Sequence, residues 1–528
     1  MIYLVLLENT GNCISTINRR EIIMGSAHFN NKARVQLTEH QRKNDDLMSH
    51  GIQFLTAIAV GLLISVSASA QTDLTFHKDI QPVIQEKCLN CHRVGGAGPM
   101  PLTTFEEVSP FVGLIMYKTG LKDKMGAMPP YYIERDSGIQ NYKSNPSLSE
   151  EQIAMIEEWV VNGAPRGNPA DAPPMPEFAD GPVWRSGTPD IVVRSSAITM
   201  KAGQPDWWGA IPDIDIPVDG ERYIRQVEIR EINDLDRSKI STSVGGQFIV
   251  HHMQWAIQGY DEAGNPIEDM KTGMPIHELG RMPDIFDPKA GRLLPKNAKA
   301  ISSNTIHLHS TGVDTTAFIE IGLFFHPEGY VPEYGTSRVS LGDGINMSIP
   351  GNSTDTELHS YTTLQKPTKI TAFEPHLHGP GERMCLEAIW GASVETLSCV
   401  GYDHNWVINY TYGANDAPLL PAGTILHATA YMDNSKSNPN VPDPRNWQGA
   451  GNRSVTNMFI DLGIQLEMTD AQFFEEMANR REALKLSKND NAKGCPLCLM
   501  PVVNPLELTE KDKSTMTGAE LKYWDVSR

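Results

Sequence analysis

Basic residues are scarce relative to acidic ones in this chain of 528 residues. It has 45 Lys and Arg against 64 Asp and Glu, so the formal net charge is −19 at pH 7. A nucleic-acid partner requires a basic surface that neutralises phosphates, and this composition argues against one. The chain is long enough for about three domains with sizeable cores. It is not poor in hydrophobic residues, which excludes a wholly disordered protein.

Long apolar runs are also rare, and the one that stands out lies at residues 53–70. It ends in Ala-Ser-Ala, which is typical of a secretory signal with cleavage after Ala70. The run is short for a membrane span, so a retained anchor is the less favoured alternative. We therefore predict a preface and signal peptide over 1–70, with Met48 as an alternative start. A periplasmic or secreted protein without a stable membrane span follows.

Cysteines are few, and export would leave six of the seven in the mature protein. These six fall into three close pairs, Cys88/Cys91, Cys385/Cys399 and Cys495/Cys498. An even number in an exported chain fits covalent use of each pair. The second pair flanks an apparent hairpin, so we expect a disulfide there, with buried free thiols as the alternative. The third pair lies in a polar tail and indicates either a disulfide or a minor metal contact.

The first cysteine pair belongs to the motif Cys88-Leu-Asn-Cys91-His92. C-x-x-C-H is the attachment motif of c-type haem, in which two thiols bond the haem vinyl groups and the histidine binds iron. The alternative is a redox or structural C-x-x-C followed by an incidental histidine. We predict one covalently bound haem c in a cytochrome c domain over 71–165.

A second helix and a sixth iron ligand complete that prediction. Residues 148–163 have the pattern of an amphipathic helix that Ser149 caps and Gly163 ends. Methionine is a common sixth ligand of such haems. We favour Met128, because the two prolines after it would make its loop rigid; core packing is the alternative role. The other candidates are Met100, Met116 and Met125.

A Pro-rich linker over 166–190 separates this module from a long region with a different pattern. There, short β-branched runs alternate with Gly, Pro, Asn and Asp turns, which indicates antiparallel sandwiches. The predicted fold is mainly β with a small α-helical domain. We expect two β-sandwich domains over 191–345 and 346–475, followed by a tail over 476–528.

Histidines form three clusters in the β region, and methionines near 432 and 458 accompany them. The clusters are His251-His252, Ile-His-Leu-His at 306–309 and Pro-His-Leu-His at 375–378. Alternate residues of a strand share a face, so each H-x-H can chelate a metal. The adjacent pair should diverge on a regular strand, as one core and one solvated histidine. Alternatively the strand ends or bulges there, and both rings turn toward one metal.

Imidazole together with thioether points to redox copper rather than to zinc. No cysteine lies near the histidines, which argues against a blue-copper site. The sequence also has no H-E-x-x-H helix of the zinc proteases.

The order His-His, H-x-H, H-x-H, Met resembles the copper type II, ascorbate-dependent monooxygenases, such as peptidylglycine α-hydroxylating monooxygenase and dopamine β-hydroxylase. The chain is most similar to bacterial members fused to a cytochrome c. Four further runs match over about 75–475, namely Met-Pro-Pro-Tyr-Tyr at 128–132, Tyr-Asp-His-Asn-Trp at 402–406, Leu-Pro-Ala-Gly-Thr at 420–424 and Asp-Asn-Ser-Lys-Ser-Asn-Pro-Asn-Val-Pro-Asp-Pro at 433–444.

The resemblance implies two jelly-roll domains, each with one copper ion. The implied ligands are His251, His252 and His309 for the first, electron-relaying copper, and His376, His378 and Met458 for the second, oxygen-binding copper. Met432 is the alternative to Met458, and His307 is left with a supporting or structural role. The remaining histidines of the β region are expected to be structural: His277, His326, His359, His404 and His427.

The function that the resemblance implies is hydroxylation of a C–H bond in a small organic substrate with dioxygen. Electrons would pass through the haem from an external donor, such as ascorbate, a quinol-linked chain or a soluble cytochrome. One alternative is a non-catalytic periplasmic copper and haem protein for electron transfer or copper binding. The other is a cytochrome domain on a plain β-sandwich that binds a sugar or a surface.

Overall fold

The computed structural model describes residues 73–177, 184–236, 245–302, 306–337, 341–342, 346–451, 456–486, 490, 492–498, 510 and 514. The predicted signal peptide with its cleavage point, and most of the tail, lie outside these residues. The described part of the chain is mainly β, with several antiparallel sheets and few helices, as predicted. None of its helices is both long and apolar enough to cross a bilayer.

The helices cluster near the start of the described chain, in what we call the helical region (73–177). The helices are α1 Gln81–Lys87 after a π-helical turn Phe76–Ile80, α2 Phe105–Val108, α3 Val112–Gly120, α4 Glu150–Val161 and, far along the chain, α5 Asp470–Ala483; short 3₁₀ turns lie at Ser109–Phe111, Pro169–Asp171 and Gly245–Gln247. The predicted cap of α4 is confirmed, because Ser149 and Gln152 form a reciprocal capping box. Trp159 on its buried face packs against Phe76.

The strands follow in two groups, the first β region (184–325) and the second β region (335–467). They are β1 Ile191–Arg194, β2 Ile198–Met200, β3 Trp207–Gly209, β4 Ile214–Ile216, β5 Arg222–Asn233, β6 Val250–Met253, β7 Trp255–Tyr260, β8 Pro266–Gly273, β9 His277–Glu278, β10 Asp284–Ile285, β11 Arg292–Leu294, β12 Ala298–Ser302, β13 Ile306–Leu308, β14 Thr315–Phe325, β15 Gly335–Ser337, β16 Thr356–Thr363, β17 Thr368–Ile370, β18 Ala372–Phe373, β19 Pro375–Leu377, β20 Gly381–Trp390, β21 Ser393–Gly401, β22 Tyr410–Thr411, β23 Leu419–Leu420, β24 Ile425–Met432, β25 Phe459–Asp461 and β26 Gln465–Glu467.

Each β region contains several sheets around its own core. In the first, β1-β14-β5-β10 is extended by β2 and β11, and the sheets β4-β12-β7-β8 and β3-β13-β6-β9 accompany it. In the second, the sheets are β15-β26-β17-β23, β16-β24-β20-β21 and the pairs β18-β22 and β19-β25. The predicted histidine clusters lie on β6, β13 and β19, at or beside the strand ends.

A segment between α3 and α4 leaves the helices and packs into the core of the second β region. Tyr131 and Tyr142 are buried there among residues of that core. Backbone bridges pair Ile133 with Val400 and Tyr142 with Tyr412. The helical region is therefore attached to the second β region by part of its own chain.

The two β regions meet through a buried ionic contact. The Arg281 guanidinium lies 2.7 Å from Asp284 and 2.8 Å from Glu374 of the second region. Burial raises the pKa of Glu374 to about 8, although Arg281 opposes this rise. Val407 also donates its backbone N–H to Leu279 across the same junction, at 2.8 Å.

Two disulfides are present in the described chain. The predicted Cys385–Cys399 bond is confirmed, with an S–S distance of 2.03 Å, and it joins directly opposite residues of β20 and β21. The second joins Cys495 and Cys498, for which the sequence left a disulfide or a metal contact open. Both of these cysteines are buried in a small core that includes α5.

Candidate metal centre

A β-bulge lies at the adjacent histidines of β6. His252 is opposite His307 on β13, but the next pair is Val250 with Leu308, so the register skips His251. An extra residue in one strand re-aims side chains that would otherwise diverge. The ring centroids of His251 and His252 lie 5.0 and 5.3 Å from that of His307. The predicted bulge is therefore confirmed, and it brings both rings toward one place.

These residues form the one group of three in the described chain with metal-binding potential. Ligand atoms of His251, His252 and His307 all lie within 4.8 Å of one another. His307, for which we had predicted only a supporting or structural role, is thus the third member. Trp208 stacks on its ring at 4.1 Å. The signal for this role is a cross-strand partnership, which the sequence does not contain.

His309, the predicted third ligand, is also nearby. Its ring centroid is 5.6 Å from that of His251, and its Nε2 donates to the Phe248 carbonyl at 2.6 Å. We refer to His251, His252, His307 and His309 as the first histidine set. The ligand role of His309 itself stays a prediction.

The second histidine set consists of His376 and His378, at the end of β19. β19 pairs with β25 in a register that places His376 opposite Ile460. Continuing this register by two residues places His378 opposite Met458, and opposite residues of an antiparallel pair share a face. Met432, in contrast, is 1% exposed within the core of the second β region. The register therefore favours Met458 over Met432 as the neighbour of the second set, and its ligand role stays a prediction.

Hydrogen bonds determine which ring nitrogen the second set can offer. Nδ1 of His376 lies 2.5 Å from Oε1 of Glu278, and Nδ1 of His378 lies 2.8 Å from the Thr456 carbonyl. Carbonyl and carboxylate oxygens only accept, so each Nδ1–H donates and the neutral ring carries its lone pair on Nε2. Burial lowers the pKa of His376, but Glu278 outweighs this effect and raises it. Burial raises the pKa of Glu278, but His376 and Arg281 outweigh this effect and lower it to about 2. Glu278 is therefore an ionised acceptor that orients His376.

The first set has the opposite arrangement. Nε2 of His251 donates to the His404 carbonyl at 3.2 Å, and Nε2 of His307 lies 2.8 Å from Asp206. This leaves Nδ1 as the nitrogen that His251 and His307 can offer, while Nε2 of His309 is engaged by the Phe248 carbonyl. Nδ1 of His251 is buried and has no hydrogen-bond partner in the described chain. Buried polar atoms are normally paired, so this nitrogen fits a bound cation.

The two sets adjoin each other. Ring centroids of His252 and His376 are 6.5 Å apart, and His404 lies between the sets, 4.9 Å from His251 and 6.2 Å from His378. Burial lowers the pKa of both His252 and His404 to about 3, and that of His251 well below its ordinary value. These imidazoles are therefore neutral at neutral pH, which is the form that binds metal.

The C-x-x-C-H motif forms a compact turn in the helical region. His92 donates its backbone N–H to Cys88 at 2.8 Å, and the thiols of Cys88 and Cys91 are free. Burial raises the pKa of Cys88 to about 12. Nδ1 of His92 donates to the Met100 carbonyl at 3.0 Å, which leaves Nε2 available. Gly98 permits close packing, since a Cβ there would lie 2.6 Å from Nδ1 of His92.

Met128, the predicted sixth iron ligand, lies in the half-buried loop after α3. Its backbone N–H donates to the Lys118 carbonyl at 3.1 Å, so the loop is attached to α3. The ligand role of Met128 stays a prediction.

A cavity of about 550 Å³ is connected to the second set through Thr456. It is lined by Met347, Pro380, Asn440, Pro442, Asp443, Asn446, Trp447, Gln448, Gly449, Ala450 and Thr456. Thr456 is the residue whose carbonyl accepts from His378. The volume suits a small organic molecule, and the lining combines an aromatic surface with amides.

Comparison with known proteins gives no independent identification. No protein-family model matches the chain, and no curated protein matches it either.

Proposed function

We propose that this chain is a copper-dependent monooxygenase that hydroxylates a C–H bond of a small organic substrate, with a c-type haem as its electron entry point. The observation that carries the proposal is the convergence of the two histidine sets from separate β regions. His251 and His307 offer Nδ1, the second set offers Nε2, and the register of β19 with β25 favours Met458 as its neighbour. The finer fold that goes with it is a cytochrome c module and two jelly-roll domains.

The donor set fits copper. Neutral imidazoles bind several transition metals, but a thioether beside them favours copper, especially Cu(I). His251, His252 and His307 would hold one ion, with His309 as the alternative third ligand. The second ion would be held by His376, His378 and Met458. Copper bound there supplies the reduction of dioxygen and the insertion of one oxygen atom into a C–H bond.

The protein's part in that chemistry is orientation. Glu278 reaches from the first β region to Nδ1 of His376, so the second set depends on the junction between the regions. Partners of this kind on the distal nitrogen fix the tautomer and raise the basicity of a metal-bound imidazole. The cavity beside Thr456 would hold the substrate next to His378, with the Trp447 ring as an apolar surface.

The helical region fits a covalent haem. It offers two free thiols in one turn and a histidine whose Nδ1–H is already donated, so that Nε2 can bind iron. The overall reaction balances as R–H + O₂ + 2 e⁻ + 2 H⁺ → R–OH + H₂O. Cys88, Cys91 and His92 would hold the haem, which would supply one-electron transfer from an external donor. Because Tyr131 and Tyr142 pack in the second β region, the haem module is a tethered partner at high effective concentration.

The test is the copper content per haem of protein matured in a periplasm, for the wild type, His251→Ala and His376→Ala. We expect two copper ions per haem, and one fewer in each variant. His326→Ala is the matched control, since His326 lies outside both sets and stacks on Tyr330. Wild-type protein with one copper or none would contradict the proposal.

Copper binding alone would not establish catalysis. Candidate substrates with unactivated C–H bonds should therefore be screened for one hydroxylated product per dioxygen consumed. Full copper loading with no product from any substrate, and rapid electron exchange with the haem, would favour a non-catalytic electron-transfer protein.

A further inference from the structure

His404 occupies a place that neither histidine set accounts for. It follows β21 in the second β region, yet its ring lies 4.9 Å from that of His251 in the first region and 6.2 Å from that of His378. Among the histidines of the described chain that belong to neither set, His404 is the one whose ring lies close to both sets.

The backbone around His404 is well fixed. The Asp403 carboxylate accepts the N–H of Asn405 at 3.0 Å, and the Asp403 carbonyl accepts the N–H of Trp406 at 3.0 Å. The Tyr132 hydroxyl donates to the same carboxylate at 3.4 Å. These hydrogen bonds therefore fix the turn that positions the His404 ring at the junction of the two β regions.

Two ring nitrogens at this point are buried without a hydrogen-bond partner in the described chain, Nδ1 of His251 and Nδ1 of His404. The other nitrogen of His251 donates to the carbonyl of His404 itself, so the two residues are already connected. A purely apolar packing role would not need an imidazole here, because a phenyl ring fills the same space without an unpaired polar atom. One cation within reach of both rings would satisfy both unpaired nitrogens.

We infer that His404 is a metal ligand that the second β region supplies to the first histidine set. His404 would then bind the first copper while its ring lies next to His378 of the second set. The inference rests on the proposed copper binding, and it is independent of whether the protein hydroxylates a substrate. Copper at the first set would then hold the two β regions together.

The test takes the His359→Gln protein as the wild-type background and compares it with the same protein carrying His404→Phe or the control His326→Phe. The additional change is needed because Nδ1 of His359 lies 3.1 Å from Nε2 of His427 on an exposed strand face, where an adventitious ion can bind. Cu(I) affinity is measured by competition with a chromophoric chelator, and Cu(II) by electron paramagnetic resonance. We expect His404→Phe to weaken one of two bound coppers by at least about 10-fold and to change its spectrum. The control should match the wild type.

An affinity within twofold of wild type and an unchanged spectrum in His404→Phe would overturn the inference. If that variant does not fold, copper-soaked wild-type crystals decide the question. An anomalous copper peak at about 2 Å from a His404 ring nitrogen supports ligation, since metal–imidazole bonds have about this length. Peaks that all lie farther than about 3.5 Å from that ring refute it.

These outcomes separate the two proposals. A copper site that depends on His404 in a protein that hydroxylates nothing would refute the proposed function alone. If the protein hydroxylates a substrate with coupled oxygen use, and His404→Phe leaves the copper affinity unchanged, this inference alone is refuted.

Discussion

The two histidine sets are built by different means, although both consist of buried or half-buried imidazoles. The second set uses regular strand geometry, since His376 and His378 are two residues apart and share a face. The first set needs an irregularity, because His251 and His252 are adjacent and converge only through the bulge opposite β13. Histidines can therefore be brought together by the periodicity of one strand or by pairing between strands. Only the periodicity can be recognised in a sequence.

The largest effect is expected where the two regions are joined. Arg281→Met would leave the buried carboxylates of Asp284 and Glu374 without their cation, and removing one partner of a buried pair costs about 3–5 kcal/mol. We expect a loss of unfolding free energy of this size in urea denaturation. Arg445→Met is the control and should cause no measurable change, because the Arg445 side chain is 78% exposed. Equal effects of the two variants would show that the junction does not stabilise the fold.

The next effect tests how the first set is composed. His307→Ala should weaken copper binding there by at least about 100-fold, or about 2.7 kcal/mol, through loss of a ligand. His309→Ala should have a smaller effect, since His309 lies outside the closest group of three. Chelator competition on both variants measures this difference. The reverse order would restore His309 as the third ligand.

The carboxylate behind the second set should matter less than a ligand. Glu278→Gln keeps the shape but removes the charge that holds the Nδ1–H of His376. Loss of such a partner typically costs 10- to 100-fold in metal affinity, so we expect about this decrease at the second site only. Glu320→Gln alters another buried carboxylate, which pairs with Arg194 and Arg230 on a different sheet from the histidines, and it should leave copper affinity unchanged.

The smallest effect is expected at the corresponding carboxylate of the first set. Asp206 lies 2.8 Å from Nε2 of His307, but its side chain is 47% exposed. Exposed ion pairs contribute about 1 kcal/mol at most, so Asp206→Asn should lower copper affinity less than about fivefold. An effect as large as that of Glu278→Gln would mean that burial does not distinguish the two sets.

Much of this molecule follows from local patterns. The capped helix from Glu150, the Cys385–Cys399 disulfide and the mainly β fold were predicted from spacing and composition, because capping boxes, hairpins and strand alternation are short-range features. The bulge at His251 was foreseen only as one of two alternatives. The packing of Tyr131 and Tyr142 into the second β region was missed, since the apolar face that receives them is assembled hundreds of residues later.

The groups that could bind a metal or haem follow from the sequence alone, namely imidazole and thioether in the β region and a thiol pair with histidine before it. The sequence also determined the shared face of His376 and His378, because strand periodicity is a local property. Only the tertiary structure decided that His307 joins the first set, that Glu278 orients His376 and that His404 lies between the sets. These contacts join residues about 50 to 150 positions apart, and they exist only after two separate β regions have packed against each other.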